Sequence, residues 1–213
     1  MIAGKIELWN DNTFCYYSNS IFCVGILYFR RRMKYNEAKN KYEFVRGGKM
    51  EIRYIVPTDD RMEISNIYEE SWKYAYKGII PQDYLNSIPK GHWSSTVDNP
   101  NWKTLICIED DRIVGTCSFC RSRFEQFQNW GEIISIYLLP DYMGKGYGKA
   151  LMKFALSELK KQGYEKIFLW VLEENIRARY FYEQFAFTPT NDFINDNIGG
   201  KELREVRYVY TWS

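Results

Sequence analysis

The chain has 213 residues, 46% of them hydrophobic, with 29 Lys and Arg against 27 Asp and Glu. A net charge of +2 is too small to make nucleic acid the expected partner, and the composition is that of an ordinary globular domain with an appendage. Five cysteines (Cys15, Cys23, Cys107, Cys117 and Cys120), irregularly spaced, argue against a disulfide framework, and a lone histidine, His92, argues against a histidine metal site or a Ser-His-Asp triad.

Residues 1–49 mix polar and aromatic side chains without a sustained helical period. The apolar run Ile21–Phe29 is too short to span a bilayer. Arg30, Arg31 and Arg32 follow it, whereas a signal peptide carries its positive charge ahead of the apolar stretch. A cytoplasmic protein with no membrane partner is expected. The character changes at Met50, so residues 50–213 are expected to form the domain and residues 1–49 an N-terminal extension. Arg46-Gly-Gly-Lys before Met50 is what a purine-rich leader ahead of a bacterial start codon would encode. The extension is therefore expected to be an upstream-start product, poorly ordered, or a genuine extension packed on the domain.

Glu51–Val56 alternates as a short strand. Pro57-Thr-Asp-Asp60 offers helix-start chemistry, and Met62, Ile64, Ile67, Tyr68, Trp72, Ala75 and Tyr76 recur at helical spacing up to Gly78. Pro81–Ile88 predicts a short second helix with proline in its first turn. Thr104–Ile108 and Ile113–Cys120 predict a hairpin turning at Glu109-Asp-Asp-Arg112. Within its second strand, Cys117 and Cys120 point to opposite faces, which suits buried structural thiols and not a redox or zinc pair. Glu132–Leu139 is a further strand. A helix from Tyr147 to about Gln162 ends at Gly163, and Lys166–Leu172 reads as a strand buried on both faces. Asn175 caps a helix to about Gln184. Phe185–Thr188 and Leu203–Thr211 close the pattern, with the tracts Pro89–Asn101 and Asn191–Lys201 expected to shape a pocket. The order predicts an α+β fold with helices interrupting a largely antiparallel sheet.

The most informative stretch joins the strand ending at Leu139 to the next helix: Pro140-Asp-Tyr-Met-Gly-Lys-Gly-Tyr-Gly-Lys149. Glycines at 144, 146 and 148 let several backbone N–H groups approach one anion, and the helix start adds unpaired N–H groups and a positive dipole end. Together these would make a phosphate cradle, the alternative being a purely structural strand-to-helix turn. It is neither the dinucleotide G-x-G-x-x-G nor a P-loop, and no ribose-binding acid follows, which disfavours a nucleotide-binding domain.

Taken with this element order, two motifs carry a resemblance to the GNAT superfamily of acetyl-CoA-dependent N-acetyltransferases over residues 51–211. Tyr137-Leu-Leu-Pro-Asp-Tyr-Met-Gly-Lys-Gly-Tyr-Gly148 resembles the acetyl-CoA signature Q/R-x-x-G-x-G/A, and Asn175-Ile-Arg-Ala-Arg-Tyr-Phe-Tyr-Glu-Gln-Phe-Ala-Phe187 is similar to N-x-x-A-x-x-F-Y-E…G-F. Ser71–Pro81 is similar, more weakly, to the substrate-side helices of one bacterial branch. Met143 stands where the family has Gln or Arg, and Ala186 where it has Gly.

The resemblance implies a mixed, mostly antiparallel sheet whose strands 132–139 and 166–172 splay, flanked by helices. It implies acetyl-CoA as cosubstrate, no metal, and a primary amine of a small molecule or peptide as acceptor, attacking directly in a ternary complex; a homodimer is open. The expected cofactor contacts are the main chain of Ile136 and Leu138 with Tyr137 between them, and the turn from Met143 and Gly144 through Lys145, Gly146, Tyr147 and Gly148. Lys149 joins the turn as a phosphate ligand or is a solvated helix lysine. Asn175 serves as helix cap and as contact to the CoA arm. Tyr182 matches the tyrosine that protonates the CoA sulfur, its alternative being a core aromatic. Glu132 is the expected base, with Glu69 and Glu70 as competitors. Trp72 and Tyr76, one helical turn apart, line the acceptor pocket or pack in the core. The alternative function is a non-catalytic acyl-CoA-binding regulatory module of the same fold.

Overall fold

The computed structural model describes residues 33–36, 41–44 and 50–212. Three antiparallel strands lead in: β1 (Met33–Asn36), β2 (Lys41–Phe44) and β3 (Met50–Tyr54). The sheet thus continues upstream of Met50. Lys41-Tyr-Glu-Phe44 alternates polar and aromatic residues over only four positions, too short a signal to stand out in sequence. The other expectations for residues 1–49 lie outside the described residues.

α1 (Arg61–Ala75) begins where the Asp60 carboxylate accepts from the Met62 N–H at 2.8 Å. Its buried face carries Ile64, Ile67 and Tyr68 against the sheet. α2 (Gln82–Ser87) follows Pro81. β4 (Lys103–Glu109) and β5 (Arg112–Arg121) form a hairpin in which Asp110 and Asp111 both have positive φ, 48° and 64°, the geometry of a two-residue primed turn. β5 is buried over eight consecutive positions because helices cover both faces of the sheet. Cys117 and Cys120 are buried there. Burial pushes both thiols up, Cys120 to about 12, which makes them inert at neutral pH.

β6 (Gly131–Leu138) runs parallel to β7 (Lys166–Leu172) but pairs with it only at Gly131–Ile167 and Glu132–Phe168. Beyond Glu132 the strands part. On the other edge of β6, Ser118 faces Ser135 while Phe119 faces Ile133, so Ile134 is the extra residue of a β-bulge. A bulge bends its strand and sharpens the twist, and this one lies where β6 leaves β7.

α3 (Tyr147–Lys161) packs Leu151, Phe154 and Ala155 into the main core with Ile167, Leu169 and Phe187. α4 (Ile176–Glu183) is capped by Asn175, whose side-chain oxygen accepts from the Ala178 N–H at 3.2 Å. β8 (Thr188–Ile198) and β9 (Lys201–Thr211) form a long hairpin beside β7. This corrects one expectation: the penultimate strand is not Phe185–Thr188 but begins at Thr188 and runs on through the tract from Asn191. β8 is an edge strand, exposed along nearly its whole length, so its polar sequence hid its conformation. Gly199 and Gly200, with φ of 64° and 85°, make the turn. A Cβ on Gly199 would stand 2.6 Å from Tyr84 Cβ, so the hairpin tip seats closely on α2.

The strands stand in the order β1-β2-β3-β4-β5-β6-β7-β9-β8, antiparallel at every junction but β6–β7. This is the expected α+β architecture with its mostly antiparallel sheet and splayed central strands. No helix among the described residues is long and apolar enough to cross a membrane.

Candidate active site

The gap between β6 and β7 opens into a cavity of about 790 Å³ lined from the glycine turn at one end to α1 and the β8–β9 hairpin at the other.

At the first end, Gly144 and Gly146 have φ of 75° and 96°, values an L side chain seldom adopts. Gly146 is the N-cap of α3, and the first intrahelical bond runs from the Ala150 N–H to the Gly146 carbonyl at 3.1 Å. Helix geometry therefore leaves the N–H groups of Gly146, Tyr147, Gly148 and Lys149 without intrahelical partners. A Cβ built on Gly144 or Gly146 meets no protein atom within 4 Å, so the space over the turn is open. Such an arrangement can hold a phosphate-sized anion. Met143, Lys145 and Lys149 line it. The Lys145 ammonium sits 5.5 Å from the Tyr142 ring centroid. Half-buried Met143 packs on the core and brings no hydrogen-bonding side chain to the turn. The Tyr147 ring is buried edge-on against Tyr142, so only its main chain serves the cradle.

Along the gap, the Leu139 N–H donates to the Val114 carbonyl at 2.9 Å. Antiparallel alternation then directs the amides of Tyr137 toward β5 and those of Ile136 and Leu138 into the gap. The Ser71 hydroxyl already donates to the Leu138 carbonyl at 2.5 Å, which leaves the Leu138 N–H and both Ile136 groups for an added extended chain. Asn175, almost fully buried, lines the same space.

Tyr182, on α4, also lines the cavity. Its ring packs against Phe187 and Tyr208, with centroids 6.1 and 6.4 Å away. Burial, with smaller contributions from Tyr137 and Cys117, pushes its phenol well above the usual tyrosine value, so it is protonated at neutral pH.

The far end is aromatic and acidic. Trp72 Nε1 donates to the Tyr137 hydroxyl at 3.1 Å, and the Tyr76 ring meets Trp72 edge-on at 5.0 Å. Both Trp72 and Tyr76 line the cavity while also packing against a minor core cluster. Burial first, then nearby Tyr182 and Glu205, push Tyr76 up to about 12.

Glu132 lines this end, but both its oxygens are occupied. Arg123 reaches it through its main-chain N–H at 3.0 Å and through Nη2 at 2.6 Å. Neither competing glutamate lines the cavity. Glu69 is buried, accepting from the Ser65 hydroxyl and the Gly91 N–H at 2.9 and 2.7 Å, and Glu70 pairs with Lys73 at 3.3 Å. Glu205, absent from the sequence-level candidates, does line the cavity. Parity along β9 signals it, since Leu203, Glu205 and Arg207 share one face and both Leu203 and Arg207 are buried.

Comparison with known proteins adds the following. A family model described as Acetyltransferase (GNAT) family matches residues 62–187. An uncharacterized N-acetyltransferase, YuaI, of Bacillus subtilis is 32% identical over 152 residues, covering 70% of this chain and 86% of its own. A spermidine N(1)-acetyltransferase of Thermoplasma acidophilum is 27% identical over 149 residues, covering 64% and 89%. Among solved structures, the PaiA N-acetyltransferase of Thermoplasma acidophilum in complex with coenzyme A superposes with a TM-score of 0.58 at 22% identity, covering 77% of this chain and 99% of that one.

Proposed function

The chain belongs to the GNAT acetyltransferase family and is an acetyl-CoA-dependent N-acetyltransferase, and from that premise we propose that it acetylates a primary amine of a small molecule or peptide by direct attack, with both substrates in the one cavity. The carrying observation is that the open glycine turn, the unpaired stretch of β6 and the Tyr182 phenol all line one continuous space.

The cosubstrate supplies the acyl group and a thiol leaving group. The N–H groups from Gly146 to Lys149 hold the diphosphate, with Lys145 and Lys149 adding charge. Gap-facing amides of Ile136 and Leu138 hold the pantetheine arm as an added strand. The main-chain amide at the Ile134 bulge meets negative charge developing on the acyl oxygen. Tyr182, kept protonated by burial, donates to the departing sulfur. Trp72, Tyr76 and Tyr137 wall the acceptor side. Glu132 holds Arg123 there and is not the base.

The test is thiol release from acetyl-CoA with a panel of amines: polyamines first, since one relative is named for spermidine, then aminoglycosides, amino acids and peptides. Tyr182→Phe is expected to lower turnover about 100-fold and leave CoA affinity unchanged. Full turnover in that variant would return Tyr182 to a packing role. Tight CoA binding with no thiol release from any amine would leave only a non-catalytic acyl-CoA holder.

A further inference from the structure

Two carboxylates line the cavity, Glu132 and Glu205, and their situations are opposite. Glu132 is fully engaged by Arg123. Glu205, half-buried on β9, stands opposite Leu172 on one side and Ile194 on the other. Among the described residues, nothing donates a hydrogen bond to it and no cation pairs with it. Even partial withdrawal of an unpartnered carboxylate from water is unfavourable, and here that carboxylate shares an open cavity with Trp72, Tyr76 and Tyr182. A cationic ligand group arriving in the cavity removes the cost.

We infer that Glu205 receives the ammonium group of the acceptor and takes its proton, so that the neutral amine attacks the acyl carbon. The inference rests on the amine-acetylating function proposed above and names the base that function needs. The protons balance. An ammonium gives its first proton to a Glu205 oxygen, the C–N bond forms as the C–S bond breaks, and Tyr182 passes its proton to sulfur. The second nitrogen proton restores the phenol, and Glu205 releases the first to solvent. The net products are the N-acetyl amine, CoA thiol and one proton.

The surroundings suit that role. Asp196 faces Glu205 from β8, Arg123 from the β5–β6 connection and Tyr76 from α1; Leu172 on β7 is apolar, and Arg207 shares its own strand face. Burial, then Asp196, lift the Glu205 carboxyl above the ordinary glutamate value, and Arg123 acts the other way. A base raised toward the working pH transfers protons more effectively than an ordinary carboxylate. Because the ionised form is the active one, kcat/KM rises with pH through the Glu205 pKa, and that acid limb lies above the usual carboxylate range.

The experiment measures kcat/KM for thiol release against pH on the full chain, using the fastest amine of the panel, with CoA affinity measured by calorimetry. Glu205→Gln is expected to lose about 100-fold in kcat and to lose the acid limb, with CoA affinity unchanged. Glu205→Asp keeps the limb at reduced rate. Asp196→Asn, at an exposed position outside the catalytic groups, removes the neighbouring negative charge. It moves the limb to lower pH without changing the plateau, and so tests the assignment even where Glu205→Gln fails to fold. A Glu205→Gln enzyme that keeps rate and limb, or an Asp196→Asn limb that stays in place, overturns the assignment of Glu205 alone. Wild-type protein that binds CoA but acetylates no amine overturns the parent function and this inference with it.

Discussion

The two ends of the cavity are built from different materials. The glycine end comes from one run of chain, residues 143–149, and presents main-chain N–H groups at a helix start. The far end, where we place the acceptor, is assembled from side chains on four elements and one connection: Trp72 and Tyr76 on α1, Tyr137 on β6, Arg123 between β5 and β6, Tyr182 on α4 and Glu205 on β9. The cosubstrate diphosphate is the same in every turnover, and backbone amides that no ordinary substitution removes are suited to it. An acceptor is distinguished by shape, charge and apolar contact, which side chains supply. Charge differs as well, with Lys145 and Lys149 at the glycine turn and, at the far end, Arg123 held by Glu132 beside the unpaired Glu205 carboxylate.

The contrast can be broken at the glycine end first. Valine at position 146 would have to adopt a φ near 96°, which a β-branched residue rarely does. With no protein atom near the added Cβ, the loss falls on the turn geometry and on the anion that lies over it. Gly146→Val is expected to weaken CoA binding by about 100-fold, or ~3 kcal/mol, in calorimetry, with the acceptor-end side chains undisturbed. Binding at wild-type strength would place the diphosphate elsewhere. At the acceptor end, Arg123→Ala strips Glu132 of its guanidinium. Loss of one partner from a fully buried pair costs about 3–5 kcal/mol, but the Arg123 side chain is 48% exposed. A loss of about 1–3 kcal/mol in denaturant unfolding is therefore expected, with CoA affinity intact. A parallel loss of CoA binding would show that the two ends are not separable.

What could be read in sequence follows the same division. The glycine turn was legible because alternating glycines ahead of a helix start leave marks in composition, and Gly144 and Gly146 do take positive φ there. α1 with its Asp60 cap, β7, and α4 with its Asn175 cap were legible from periodicity and capping chemistry. The splay of β6 from β7 came from family resemblance alone. Glu205 stayed hidden because Leu203–Thr211 was read only as a closing strand: its Val206, Tyr208 and Tyr210 pack with the main core, and no local pattern says which cavity the other face meets. The capture of Glu132 was invisible because Arg123 lies in an irregular connection whose path no local pattern specifies. β8 was missed because an exposed edge strand has a polar, Asn- and Asp-rich sequence that reads as loop, although Gly199-Gly200 is a hairpin signal.

The finest test lies in the turn that joins α4, bearing Tyr182, to the acceptor-side hairpin. Ala186 holds a φ of 62°, and its neighbour Phe187 is buried, with its N–H directed to the Tyr182 carbonyl at 3.3 Å. A non-glycine residue in the left-handed region costs about 1–2 kcal/mol. Glycine relieves that strain but raises the entropy of the unfolded chain by about 0.5–1 kcal/mol. Ala186→Gly is therefore expected to stabilise the protein by about 0.5–1 kcal/mol, or about 1–4 °C in Tm for a chain of this size. Neither CoA affinity nor acceptor KM should change, since the alanine methyl lines neither end. A fall in kcat at constant CoA affinity would mean that strain in this turn helps hold the Tyr182 phenol against the gap, so that stability has been given up there for the position of one proton donor.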